Sequence, residues 1–155
     1  MSDTHSPGTY SAGTLNADTL IVDLDGPILD GKGRHYACYC RILAQHGYSP
    51  IPIDAYWDLK RSRGDRRTLL ALSGAQSLYA TFLAEWLDSI ESDEMLALDR
   101  VQPGAAEQLA RWQGQGIRLI LATMRRDSAA LQRQLAALRL LPLFARVLIC
   151  DHAEG

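Results

Sequence analysis

Asp18-Thr-Leu-Ile-Val-Asp23-Leu-Asp25-Gly26-Pro27 joins an apolar run to two carboxylates one residue apart and then to a glycine. Leu20, Ile21 and Val22 read as a strand buried on both faces, as in the middle of a parallel sheet. Gly26 lets the chain turn sharply as it leaves that strand. In open α/β sheets chemistry collects just beyond the carboxyl ends of the strands. Two acids placed there share a small space, which calls for a cation or a shared proton. Asp23 and Asp25 are therefore the first candidates for function.

The bulk properties set the frame. A chain of 155 residues, 47% hydrophobic and 22% charged, has the makings of one ordinary globular domain, or of one domain with a small insert. Net charge is −2, so no overall basic field points to nucleic acid. No apolar stretch approaches the ~20 residues needed to span a bilayer, so no membrane partner is expected. Residues 1–17 are rich in Ser, Thr, Gly and Asp, lack the apolar run of a secretory signal, and read as a disordered tail. The three cysteines, Cys38, Cys40 and Cys150, form neither a disulfide framework nor a zinc pattern. A cytoplasmic location is the expectation.

Helical spacing marks Arg34–His46 as a helix, stopped by Gly47. Ser49-Pro-Ile-Pro52 is a turn, and Asp54 is placed to cap a helix running to about Arg63. Two more helical stretches follow, at about 66–72 and 75–90. Nothing from 31 to 98 reads as a strand, so this block is all-helical. Pro103-Gly104 then opens a helix over 105–113, followed by the buried strand Ile117-Arg-Leu-Ile-Leu-Ala122 closed by Thr123. Ser128 is placed to cap a helix through Arg139, and Arg146-Val-Leu-Ile-Cys150 makes a third strand. Strands alternating with helices imply a parallel sheet with right-handed crossovers.

Three stretches of this pattern resemble the haloacid dehalogenase superfamily, most of whose members are phosphohydrolases. Val22-Asp23-Leu24-Asp25-Gly26 is similar to its first motif, and Leu119-Ile-Leu-Ala-Thr123 to its second. Pro103-Gly104 with the following helix and Gly116-Ile-Arg-Leu-Ile-Leu is similar to the usual lead-in to that second motif. The resemblance implies an α/β, Rossmann-like, three-layer core over 18–30 and 99–155, with a helical cap inserted at 31–98. It implies magnesium-dependent hydrolysis of a small phosphorylated metabolite. Asp23 would be the nucleophile, forming an aspartyl phosphate, and Asp25 the acid and base. Thr123 would bind a phosphate oxygen. Asp23 and the Asp25 backbone carbonyl would hold Mg2+. Gly26 belongs to the same substrate-binding loop. Alternate residues on an extended backbone point the same way, which suits two groups acting on one phosphate.

Two basic groups add candidates. Lys60-Arg61-Ser-Arg63-Gly-Asp-Arg66-Arg67 puts five cations into eight residues. Lys60 or Arg63 would reach an anionic substrate, against the plainer reading of a solvated helix end. Arg125, two residues past Thr123, is either a phosphate contact or a surface ion pair. An EF-hand calcium loop is excluded, because the glycine falls two positions too early and Arg34 stands where the closing acid belongs. His35, His46 and His152 have no partners at ligand spacing, and Trp57, Trp86 and Trp112 read as packing residues.

The sequence also departs from the family pattern. Its two lysines, Lys32 and Lys60, both precede the second motif, so no third-motif lysine follows it. No acidic pair follows a further strand, and Asp151 and Glu154 are placed away from Asp23. The chain looks cut off after its third strand. It is therefore expected to self-associate through an unpaired sheet edge at Leu20–Val22, or to be marginally stable. The rival reading is a degenerate relative that binds a ligand or partner without catalysis.

Overall fold

The structure, a computed structural model, describes residues 17–150. All but the last residue of the expected tail lies outside them, as do Asp151, His152 and Glu154. Three parallel strands form the sheet in the order β1 (Thr19–Asp23), β4 (Arg118–Thr123), β5 (Arg146–Ile149). Thr19 pairs with Arg118 and Asp23 with Ala122, so Asp23 and Thr123 end their strands at the same edge. Helices α6 (Ala105–Gly114) and α7 (Ser128–Ala137) make the connections that keep the strands parallel.

Between β1 and α6 the chain leaves the sheet for five helices: α1 (Lys32–Gln45), α2 (Ile53–Arg61), α3 (Arg66–Leu72), α4 (Tyr79–Ser89) and α5 (Asp93–Leu96). This is the all-helical cap, and it has its own apolar cluster around Tyr39, Ile42, Leu43, Tyr56, Leu70 and Phe82. A second cluster, with Leu24, Leu29, Leu119, Leu121, Leu131 and Leu135, lies against the sheet. Two short strands, β2 (Leu29–Asp30) and β3 (Arg100–Val101), pair antiparallel where the chain enters and leaves the cap. Neither these strands nor α5 shows in the sequence pattern, because two residues, or a single turn, carry no period to read.

Several local expectations are corrected. β1 is not buried on both faces: its residues alternate between exposed and half-buried, and Ile21 is 64% exposed. It is the outer strand of the described sheet and has a neighbour on one side only. The start of α7 is capped by Asp127, whose carboxylate accepts from the Ala130 amide, while Ser128 is the first helical residue. Asp54 sits inside the first turn of α2 behind Pro52, and a carboxylate there favours the positive end of the helix dipole.

The sheet predicts a contrast in stability. Leu121, fully buried on the central strand, loses about 2–5 kcal/mol on truncation to Ala. Ile21→Ala, on the exposed edge, costs within about 0.5 kcal/mol. Urea unfolding of both variants checks this, and equal losses contradict the placement of β1 at the edge.

Candidate active site

The turn after β1 is built by backbone hydrogen bonds. Gly26, at φ 105°, donates to the Leu29 carbonyl at 2.9 Å, and the Leu29 amide donates to Leu24 at 2.9 Å. An L side chain rarely adopts that φ, so the glycine is required where Asp25 turns back toward the cap. Gln102 donates its amide to the Gly26 carbonyl at 3.0 Å, tying the loop to the chain leaving the cap. Asp23 is exposed; its Oδ1 accepts from the Leu24 amide at 2.8 Å, and Oδ2 has no hydrogen bond among the described residues. Thr123 is buried at the end of the neighbouring strand, with its hydroxyl oxygen 3.4 Å from the Arg125 amide.

Asp25 has close charged company. Arg125 donates from Nε to Oδ2 at 2.7 Å and from Nη2 to Oδ1 at 2.8 Å, a two-pronged pair. Arg34, from α1, donates from Nη2 to the same Oδ1 at 2.9 Å. Both arginines also reach Asp99, which precedes β3: Arg34 Nε at 2.8 Å and Arg125 Nη2 at 3.2 Å. Gln134 of α7 donates to Asp99 at 2.8 Å and to the Leu96 carbonyl at 3.0 Å. The side chain of Asp99 is 0% exposed, while those of Arg34 and Arg125 are 3% and 5%. Two carboxylates and two guanidiniums thus close a ring in which formal charge balances, as a buried arrangement requires.

The ring sets the character of Asp25. Burial alone would raise its carboxyl, but the Arg125 hydrogen bonds and charge, with the charge of Arg34, hold it below the usual carboxylate range. Asp25 is accordingly an ionised acceptor in this arrangement. Arg125 is not in a surface ion pair, because it is buried between Asp25 and Asp99.

His35 enters the site as well. It lines a cleft of about 250 Å3 with Asp25, Gly26, Asp30, Trp57 and Gln102. Its Nδ1 accepts from the Lys60 ammonium at 3.0 Å, and its ring lies 5.5 Å from that of Trp86. Burial, with the charges of Lys60 and Arg34, pushes His35 down to about 3. Burial, with Arg66 and Arg34, pushes Lys60 down to about 8. Lys60 thus meets His35 but lines a neighbouring cavity of the cap rather than the cleft itself, whereas Arg63, at φ 60° on the turn after α2, is exposed and lines none of the described cavities. His46 pairs with Glu85 at 2.9 Å, away from the cleft.

The structure brings Asp23, Asp25, Gly26, Thr123 and Arg125 to one edge and sets Lys60 at the rim beyond His35. Sequence reading missed Arg34, His35, Asp99 and Gln134. His35 lies ten residues past Asp25, which a helix entering from the β1 turn could have suggested. The involvement of Asp99 and Gln134 depends on how the cap exit packs against α7, and nothing local signals it.

With this geometry in view, comparison with known proteins identifies the class. The family model for haloacid dehalogenase-like hydrolases matches residues 17–155, and the chain belongs to that family. Solved structures give the same fold. It is similar to a haloacid dehalogenase-superfamily hydrolase of subfamily IA, variant 1, from Geobacter sulfurreducens, with 20% identity, a TM-score of 0.68, and coverage of 94% of this chain and 69% of that one. A Thermotoga maritima protein provisionally named as a β-phosphoglucomutase matches at 21% identity and TM-score 0.62, over 89% of this chain and 63% of its own. A Haemophilus somnus protein named by prediction as a phosphoglycolate phosphatase matches at 16% and 0.58, over 92% and 67%. The chain thus spans about two-thirds of the length of these structures. No curated protein matches the sequence. Among the described residues, no helix is long and apolar enough to cross a membrane.

Two outcomes follow from the site. Asp99→Ala leaves two buried guanidiniums short of a counter-charge and costs about 3–5 kcal/mol by urea unfolding; a loss under 1 kcal/mol contradicts the ring. His35 binds its proton more weakly folded than unfolded, so between pH 6.5 and about 3 the unfolded chain takes up the proton first. Its contribution therefore lowers stability as pH falls through that window. His35→Gln flattens the fall of the thermal midpoint from pH 6.5 to 4, and an unchanged slope refutes the shift.

Proposed function

We propose that this chain carries the catalytic core of a magnesium-dependent phosphomonoester hydrolase acting on a small phosphorylated metabolite. The observation that supports this best is the meeting of an exposed, half-unpaired Asp23 with Thr123, Arg125 and Asp25 at one sheet edge. Asp23 Oδ2 attacks phosphorus; the bond from phosphorus to the ester oxygen breaks and an aspartyl phosphate forms. Thr123 and the guanidinium of Arg125 take phosphoryl oxygens, spreading the charge that builds up there. The departing oxygen needs a proton, and Asp25 is the acid beside it. Arg125 moves from Asp25 onto the phosphoryl group, which removes the strongest hold on the Asp25 anion, so that Asp25 takes up a proton from water and passes it to the departing oxygen. Asp25 then accepts a proton from the water that attacks phosphorus and releases Asp23.

The donor set suits magnesium. Oδ1 of Asp23, which accepts only the Leu24 amide, and the Asp25 backbone carbonyl, which accepts no backbone hydrogen bond among the described residues, are hard oxygen donors. Among the described residues, no group of three or more His, Cys, Asp or Glu side chains assembles at this edge. When bound, magnesium neutralises charge between Asp23 and the phosphoryl oxygens.

A second reading has its own support. Asp25 is held ionised by two arginines, which favours a protein that binds phosphorylated ligands without turning them over. Self-association through the backbone of the β1 edge remains part of the proposal, because β1 has a neighbour on one side only in the described sheet.

Phosphate release from a phosphomonoester panel, with and without magnesium, tests the reading. Magnesium-dependent turnover lost by at least about 10³-fold in Asp23→Asn supports hydrolysis through Asp23. Wild-type release no greater than that of the folded variant rejects it in favour of binding alone.

A further inference from the structure

Glu91 hydrogen-bonds to none of the side chains given a chemical step, yet it takes two backbone amides of the loop that carries Arg125. It stands where α4 gives way to α5, between Ile90, the C-cap of α4, and Ser92, the N-cap of α5. The Arg126 amide is shared between its Oε1 and Oε2, both at 3.0 Å, and the Asp127 amide donates to Oε2 at 2.8 Å. Among the described residues Glu91 forms no ion pair, so its carboxylate goes to backbone rather than to a cation. The loop it holds, residues 124–127, is otherwise loosely tied. The Arg125 amide lies 3.4 Å from the Thr123 hydroxyl oxygen, a long hydrogen bond, and Met124 is 51% exposed.

The residue before Glu91 reaches the ring from its other side. The Ile90 carbonyl accepts from Arg34 Nη1 at 3.3 Å. Residues 90 and 91 therefore hold both arginines of the ring, Arg34 directly and Arg125 through the backbone just beyond it. Phe82 and Trp86 seat α4 in the apolar cluster of the cap, so the two residues stand at the end of an anchored helix. A carboxylate before α7 also meets the positive end of that helix's dipole. The dipole asks only for negative charge nearby, whereas the contacts to two successive amides ask for an oxygen at a set reach.

We propose that Glu91 is a positioning residue, fixing the backbone of loop 124–127 so that Arg125 meets Asp25 with both prongs and stays within reach of the phosphoryl group. The placement stands on the geometry, and its effect on turnover rests on the reading of Arg125 as a phosphoryl contact. When the guanidinium leaves Asp25, Glu91 keeps the backbone still, so that only the side chain travels.

Three substitutions separate reach from charge. Glu91→Ala removes both, Glu91→Asp keeps the charge but is one methylene too short, and Glu91→Gln keeps the length and an acceptor oxygen without the charge. The first readout needs no turnover. It is hydrogen exchange of the Arg125 Nε–H in nitrogen-15 NMR of the whole chain, a group that donates to Asp25 at 2.7 Å. The Arg34 Nε–H, which donates to Asp99 at 2.8 Å, is the internal reference for an intact fold. The expected result is Arg125 exchange about tenfold or more faster in Glu91→Ala and Glu91→Asp, retained at the wild-type rate in Glu91→Gln, with Arg34 unchanged. Magnesium-dependent phosphate release is expected to follow the same order, kcat falling about tenfold or more in the first two variants and recovering in the third. If Glu91→Ala loses the Arg34 signal as well, its fold has gone and the Asp and Gln variants decide. Arg125 exchange that Glu91→Ala and Glu91→Asp leave unchanged, or that Glu91→Gln speeds as much as they do, overturns the inference whatever the release assay shows. Exchange in the expected order, with no phosphate release by the wild-type chain, upholds the positioning and rejects the hydrolase.

Discussion

The ring of Asp25, Arg34, Asp99 and Arg125, buried except at Asp25, is the constraint on which the site depends. An isolated charge in such a place would be intolerable, and two arginines facing one carboxylate would leave a net positive charge in the interior. Asp99 resolves this by taking one donor from each arginine, and Gln134 fixes Asp99 in turn. These groups, with Gln134, come from the β1 loop, α1, the cap exit, the β4 loop and α7, so the ring bolts cap to core beside the sheet edge that carries Asp23. Such a ring is weak evidence for net stability, because charges are costly to desolvate even when paired. Its value lies in position. It sets where Asp25 points and keeps it ionised until something competes for Arg125.

The rest of the fold serves that placement. Parallel pairing of β1 with β4 brings Asp23 level with Ala122, which puts Thr123 one step further along the same edge. The β2–β3 ribbon pins the two linkers of the cap, so α1 starts close to Asp25 and delivers both Arg34 and His35 within one turn. Between the reaction edge and the cap interior stands the His35–Lys60 contact, with His35 neutral because burial and nearby cations oppose its protonation. The site thus leads from an exposed carboxylate, through the ring and a neutral His35, to the Lys60 ammonium.

The sequence by itself determined the strands of the sheet and the acids at its edge. A strand ending at Asp23 with Asp25 just beyond it, a second ending in Thr123, and a helical block between them follow from hydrophobic period and turn residues, which are local properties of the chain. α3 falls where the spacing places it, at Arg66–Leu72, because its apolar residues and its Asp65 cap lie close together in sequence. The tertiary structure alone decided which charges meet. Arg125 lies 100 residues from Asp25, and Arg34 lies 65 from Asp99. Whether such groups pair depends on how the cap returns to the sheet, which no local pattern encodes. The same holds for the five cations of residues 60–67, which are equivalent in sequence. Packing turns Lys60 toward His35, lays Arg66 beside Trp86 and leaves Arg63 in solvent, because only the folded cap gives each one a different wall to face.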